Sequence, residues 1–182
     1  MQLKSWSRRS FALSAALLVA LGLVASTSNE ASAKHHRKHH RTVRLHNDLL
    51  SVAGREGDLS MTVAAYKKAG LAGHLMSRGP WTVFMPSNAG WGKMPKESRE
   101  GLLNDPKRLA EILKYHNAKG KHDAADLGAK RSIVTLQGES LMLDNKDGTV
   151  IVDGCVTTKP DVKASNGIIQ VIDYIPIPER GR

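Results

Sequence analysis

The chain has 182 residues, with 27 Lys plus Arg against 17 Asp plus Glu and a formal net charge of +10, a length that suits one domain of ordinary size. Hydrophobic residues make up 41% and charged residues 24%, which excludes a wholly disordered chain. A single cysteine, Cys155, excludes a disulfide scaffold and every CxxC or zinc-ribbon spacing.

The first 33 residues read as an export signal. Lys4, Arg8 and Arg9 precede an apolar run from Phe11 to Ala25, too short to span a bilayer comfortably. The small-residue stretch Ala31-Ser32-Ala33 then supplies an A-x-A cleavage site. The mature chain is expected to begin at Lys34 and to hold 149 residues. Ser7-Arg8-Arg9-Ser10-Phe11 also resembles a twin-arginine signal, although Ala12 and Leu13 depart from its usual Leu-Lys ending. The absence of a cysteine after the run argues against a lipid anchor, and no second apolar segment predicts stable membrane insertion. The expected location is therefore outside the cytoplasm, periplasmic or secreted.

Divided along the chain, the charge becomes more informative. Five fixed cations sit in Lys34 to Arg44, whereas from Leu45 onward 19 basic residues face 16 acidic ones, a balance of only +3. The body is thus no basic nucleic-acid platform, and its aromatic content of 4% lacks the interleaved rings of single-strand binding. The arm, residues 34–44, has almost nothing apolar to pack and is expected to be disordered, touching polyanionic surfaces. His35, His36, His39 and His40 within it are candidate metal ligands, opposed by the neighbouring cations.

The next segments read as helices. Asp58 is placed to N-cap a helix over Leu59 to Ala69, with Leu59, Val63 and Tyr66 on one stripe and Gly70 as its stop. A turn over Leu71 to Met76 follows. Trp81 to Met85 is aromatic and β-branched, a buried strand that Pro86 ends. Ser87 or Asn88 starts a brief helix near Trp91, and Lys96 to Leu103 offers another turn or two. Asn104-Asp105-Pro106 opens a helix through Tyr115 whose buried face is Leu109, Ile112 and Leu113.

After Gly120 the apolar period changes to two. Strands are predicted over Ser132 to Leu136, Leu141 to Leu143, Thr149 to Val152, Cys155 to Thr157 and Ile168 to Asp173. Asp147-Gly148 and Asp153-Gly154 suit tight hairpins, so these strands are read as an antiparallel meander. Asn166-Gly167 is read as a left-handed turn into the last strand. Helices before strands, without regular alternation, predict an α+β fold.

Three segments in order resemble the fasciclin (FAS1) domain family, over about Leu45 to Pro178. Thr82-Val83-Phe84-Met85-Pro86-Ser87-Asn88 is similar to the family's first motif, usually Thr-Val-Phe-Ala-Pro-Thr-Asp, with Trp91 where a Phe is normal. Leu109 to His116, ending in Tyr115-His116, resembles the central Tyr-His motif, and Ala164 to Asp173 resembles the second conserved segment. Gln170 stands in place of the usual His, Asn117 in place of an apolar residue, and Ala89-Gly90 in place of Glu-Ala. The implied organisation is a signal peptide over 1–33, the arm over 34–44, a FAS1 domain over 45–178 and a tail over 179–182, with helices packed against a strand-rich C-terminal half.

The resemblance implies adhesion, through cell-surface or matrix partners, with Tyr115 and His116 as candidate contact residues. The residues themselves favour packing of the Tyr115 ring and a carbonyl partner for His116 over a contact role. Fasciclin domains that carry apolar molecules such as carotenoids suggest an alternative, a groove lined by Trp81, Trp91 and Met94. Catalysis finds no support in a G-x-S-x-G, H-E-x-x-H, P-loop or dinucleotide fingerprint, and no cofactor is expected. His122-Asp123 reads as a polar loop, and Cys155 as a small buried residue.

Overall fold

The computed structural model describes residues 47–179. The expected signal peptide, and the arm with His35, His36, His39 and His40, lie outside the described residues. Within them, short helices come first: α1 (Leu49–Arg55), α2 (Ser60–Lys68), α3 (Ala72–Met76), then β1 (Trp81–Pro86), α4 (Asn88–Gly92), α5 (Lys96–Asn104) and α6 (Pro106–Tyr115). The strand-rich half holds β2 (Asn117–Lys119), α7 (Ala124–Gly128), β3 (Ser132–Val134), β4 (Ser140–Lys146), β5 (Thr149–Val152), β6 (Cys155–Ala164) and β7 (Gly167–Ile172). The α+β organisation expected from the sequence is the one observed.

The strands form one seven-stranded sheet in the order β2-β1-β7-β6-β5-β4-β3. From β3 to β7 it is the antiparallel meander expected, but β1 adds to β7 in parallel, which makes the sheet mixed. The sheet also curls until its edges meet, since Ala118 bridges to Thr135 and the Leu136 amide donates to the Asn117 carbonyl at 2.8 Å.

Two cores result. Val83 and Met85 of β1 and Ile169 and Val171 of β7 face the helices, where they meet Leu49, Tyr66, Leu75, Trp91, Leu109 and Ile112. Phe84 and Ile172 face the other way, into the curled sheet with Tyr115, Leu127, Ile133, Leu141 and Val152. Because successive side chains alternate sides, a strand between two cores is apolar at nearly every position. That is the continuous pattern of β1 and β7 in the sequence.

The turns follow their residue chemistry. Asp147 (φ 53°) with Gly148 (φ 84°), and Asp153 (φ 49°) with Gly154 (φ 78°), pair two left-handed residues each, as hairpin turns of matching twist require. Asp105 caps α6, its carboxylate accepting from the Lys107 and Arg108 amides, and Pro106 occupies the first helical position.

Three local expectations are corrected. Asp58 does not cap the helix, because Gly57–Leu59 forms a 3-10 turn and α2 begins at Ser60. Its end is met from elsewhere in the chain: Asn88 Oδ1 accepts from the Met61 amide at 3.0 Å, while Asn88 Nδ2 donates to the Gly57 carbonyl at 3.1 Å. The strand predicted to end at Thr157 runs on through Pro160 to Ala164, register shifts at Thr157/Lys159 and Lys159/Val162 accommodating the proline.

Finally, neither Asn166 nor Gly167 has the positive φ expected for a left-handed turn; the positions that do are others. Gly167 is required for approach, since a Cβ there would lie 2.1 Å from the Trp81 carbonyl oxygen. The nearest obstruction is the Trp81 carbonyl, which is backbone and cannot swing aside as a side chain would. Gly167→Ala is therefore expected to cost more than about 3 kcal/mol in chemical denaturation. Gly101→Ala, on a helix with nothing within 4 Å, is expected to be neutral or to stabilise by up to about 1 kcal/mol.

Candidate functional site

Tyr115 and His116 stand at the end of α6, where the helix hands the chain to β2. The Tyr115 ring packs in the sheet-side core and its hydroxyl donates to Asp153 Oδ2 at 2.5 Å, with the Ser140 carbonyl 3.2 Å away. The residue thereby ties the helix to the β5–β6 turn and the start of β4. It also forms part of the wall of a cleft of about 700 Å³, with Glu139, Ser140, Met142, Asp153, Gly154, Ile177 and Glu179.

His116 is fully buried, and its Nδ1 lies 2.7 Å from the Ile112 carbonyl. A carbonyl only accepts, so Nδ1 carries the proton and Nε2 is bare. That second nitrogen is enclosed without a partner. Burial pushes the ring's pKa down to about 4, against weaker opposing effects of the Ile112 bond and the Asp153 charge.

Other residues in the motif-like segments, with Thr62 of α2, act as fasteners. Thr62 Oγ1 donates to the Pro86 carbonyl at 2.6 Å and accepts from Trp91 Nε1 at 2.8 Å, which joins α2, β1 and α4 inside the helical core. Ser87 caps α4 by accepting from the Gly90 amide. Asp173 accepts from the Val156 amide and pairs with Lys93 at 2.6 Å. Gln170, nearly fully buried, accepts from the Asp161 amide and donates to Asp161 Oδ1 and to the His122 carbonyl. It thus holds both the left-handed Asp161 of the β6 bulge and the loop before α7.

Trp81, Trp91 and Met94 occupy different surroundings. Trp91 is enclosed in the helical core, and Trp81 is half-buried with its ring 4.5 Å from that of His74 and its Nε1 donating to Ser77 Oγ. Met94 contributes to a cleft of about 280 Å³ with Ser98, Leu102, Arg108 and Ile112. None of the three stands in the wall of the 700 Å³ cleft.

His122 meets Asp126, on the first turn of α7, instead of its neighbour Asp123, which caps that helix. Lys130 pairs with the same Asp126 carboxylate, and the bonds from Lys130 and His122 hold that carboxyl below its ordinary range. Cys155 is buried, and burial, with the charges of Asp173 and Asp153, pushes its thiol up to about 12. No group of three or more His, Cys, Asp or Glu among the described residues is arranged to hold a metal ion.

One surface feature was not singled out from the sequence. Opposite residues on paired strands share a face, so the registers Ser132↔Met142, Val134↔Ser140, Asp144↔Ile151 and Ile151↔Val156 put Val134, Met142, Ile151 and Val156 on the outer side. Val134 is 65% exposed and Met142 60% exposed. The signal was present in the alternation around Ile133 and Leu141, whose neighbours must point outward.

The burial of His116 has a consequence in acid. Its folded pKa lies below the ordinary 6.5, so the unfolded chain binds the proton more readily and folding stability falls as pH drops from about 6.5 toward 4. The loss from this residue is expected to be on the order of 3 kcal/mol. Denaturation midpoints across that range check it, and His116→Gln is expected to flatten the dependence.

Similarity to known proteins agrees with this geometry. The Fasciclin domain family matches residues 57–178. A Synechocystis protein, sll1483, is 38% identical over 132 residues, covering 71% of this chain and 73% of its own. Transforming growth factor-beta-induced protein ig-h3 of Sus scrofa is 33% identical over 130 residues, 71% of this chain but only 19% of that protein. Among solved structures, a FAS1 domain pair from the insect cell adhesion molecule fasciclin I superposes with a TM-score of 0.66 at 21% identity, covering 74% of this chain and 52% of that one. The family match over residues 57–178, more than half of the chain, shows that this chain belongs to the fasciclin domain family.

Proposed function

We propose that the protein is an exported, non-enzymatic interaction module that works in adhesion or in association with the cell envelope or matrix. The observation that carries this reading is the outward row Val134, Met142, Ile151 and Val156, in a domain whose other large apolar side chains mostly fill its two cores. A clustered apolar face of this kind fits a protein partner. Met142 is shared between the row and the 700 Å³ cleft, so Tyr115 belongs to the same contact region through the cleft wall, while the enclosed His116 serves the fold. The description of fasciclin I as a cell adhesion molecule supports the same class of role. No helix among the described residues is long and apolar enough to cross a membrane. The cationic arm would add a salt-sensitive attraction to polyanions.

The test is retention of the purified full chain on isolated envelopes of the producing cells. The double variant Val134→Ser with Met142→Gln changes exposed positions without changing the net charge, and is expected to keep its melting temperature while losing at least about tenfold in retention, since the apolar contact area is removed. Unchanged retention would contradict the assignment of this face.

A further inference from the structure

The fold treats the methionines among the described residues very differently. Met85 is 0% exposed and Met94 5%, both inside the helical core, and Met61 is partly buried against it. Met76, at the end of α3, is 54% exposed, and Met142, in β4, is 60% exposed. Leu141 and Leu143 on either side of Met142 point into the curled sheet, so the pleat turns Met142 outward. The other outward positions nearby on β4 are Ser140 and Asp144, which are polar. Met142 is therefore the apolar member that β4 contributes to the outer row. Val134 lies on the strand to one side and Ile151 on the strand to the other, and Met142 also lines the 700 Å³ cleft.

A thioether needs no deprotonation to react with a peroxide, so access to the sulfur decides which methionine is oxidised. The competing sulfur is withheld. Cys155 is buried and its thiol is pushed up to about 12, so little of the reactive thiolate forms near neutral pH. With hydrogen peroxide, the methionine sulfur lone pair attacks one peroxide oxygen. An S–O bond forms as the O–O bond breaks, and the departing hydroxide takes up the remaining proton and leaves as water. Sulfur loses two electrons and the peroxide gains them, which balances the step. The product sulfoxide is uncharged, but it is polar and accepts hydrogen bonds. Pressed into an apolar contact, that oxygen loses its water without gaining a partner, which is unfavourable.

We propose that Met142 is an oxidation site at which hydrogen peroxide, or another two-electron oxidant, converts the thioether to the sulfoxide and so releases the partner held on the outer face of β3 to β6. Resting on the reading of that face as the contact surface, this switch leaves net charge and both cores as they are, because the modified atom is on the outside. Sulfoxide reductases drawing on a dithiol reverse it. Met76 is accessible to the same oxidants but lies on α3, outside the row, so its oxidation leaves the contact in place.

The test exposes the purified full chain to graded hydrogen peroxide and follows it by peptide mass mapping, melting temperature and retention on isolated envelopes. Met142 and Met76 are expected to gain one oxygen at least about tenfold faster than Met85 and Met94. Retention is expected to fall at least about fivefold at an unchanged melting temperature, and to return after treatment with methionine sulfoxide reductases and dithiothreitol. Met142→Leu keeps the apolar volume, and is expected to be retained as before and to stay retained after peroxide. Met76→Leu is expected to remain sensitive. Slow oxidation of Met142, full retention of the Met142 sulfoxide form, or continued peroxide sensitivity of Met142→Leu would each overturn the proposal. The double variant Val134→Ser with Met142→Gln separates the two readings in the same assay. If it loses retention while the sulfoxide form does not, the outer face stands as the contact and the switch alone fails. If both are retained like the unmodified chain, or that chain is not retained at all, both readings fail.

Discussion

The joint on which the rest of the fold depends is the carboxamide of Asn166. Its Oδ1 accepts from the Leu49 amide, its Nδ2 donates to the Leu75 and Ser77 carbonyls, and its own carbonyl accepts from the Trp81 amide. One residue at the β6–β7 turn therefore fixes the start of α1, the end of α3 and the start of β1. The neighbouring Gly167 allows Trp81 to come close enough for β1 to pair with β7 in parallel. That pairing places a strand between two cores, and both the helical layer and the curled sheet are positioned from it.

Residues in the motif-like segments, and Thr62 outside them, share this character. Asn88 closes the open end of α2, Thr62 and Trp91 lock that helix to β1, Tyr115 ties α6 to the β5–β6 turn, and Gln170 holds the β6 bulge. Each joins elements distant in sequence and most are buried. Burial of this kind serves a single native arrangement, since a half-satisfied polar group inside a protein is costly. Under the proposed reading, partner contact falls to the outer face of β3 to β6 and to the cleft whose wall Tyr115 shares.

The sequence made some of this legible and left the rest hidden for physical reasons. β1, β7 and α6 were visible because long apolar runs and a Pro-marked cap give strong local signals. The Asp-Gly hairpins were visible because left-handed backbone demands those residues. α1 and α7 were missed as short elements, and β2, three residues of Asn-Ala-Lys, has no period to read. The parallel β1–β7 pair joins segments more than 80 positions apart, and no local pattern records such a partner. Asn117 and Gln170 were noticed as departures, but the bonds that orient their amides include partners distant in sequence, Tyr66 for Asn117 and the His122 carbonyl for Gln170, which only folding brings near.

The central claim is that the motif residues hold the fold together and that Asn166 is the foremost of them. Equilibrium unfolding of Asn166→Ala tests it most directly. Three side-chain hydrogen bonds are lost and two carbonyls and one amide are left without that partner, so the account predicts a loss on the order of 3 kcal/mol in one cooperative transition. A loss below about 1 kcal/mol, within the range of an ordinary surface change, would contradict it.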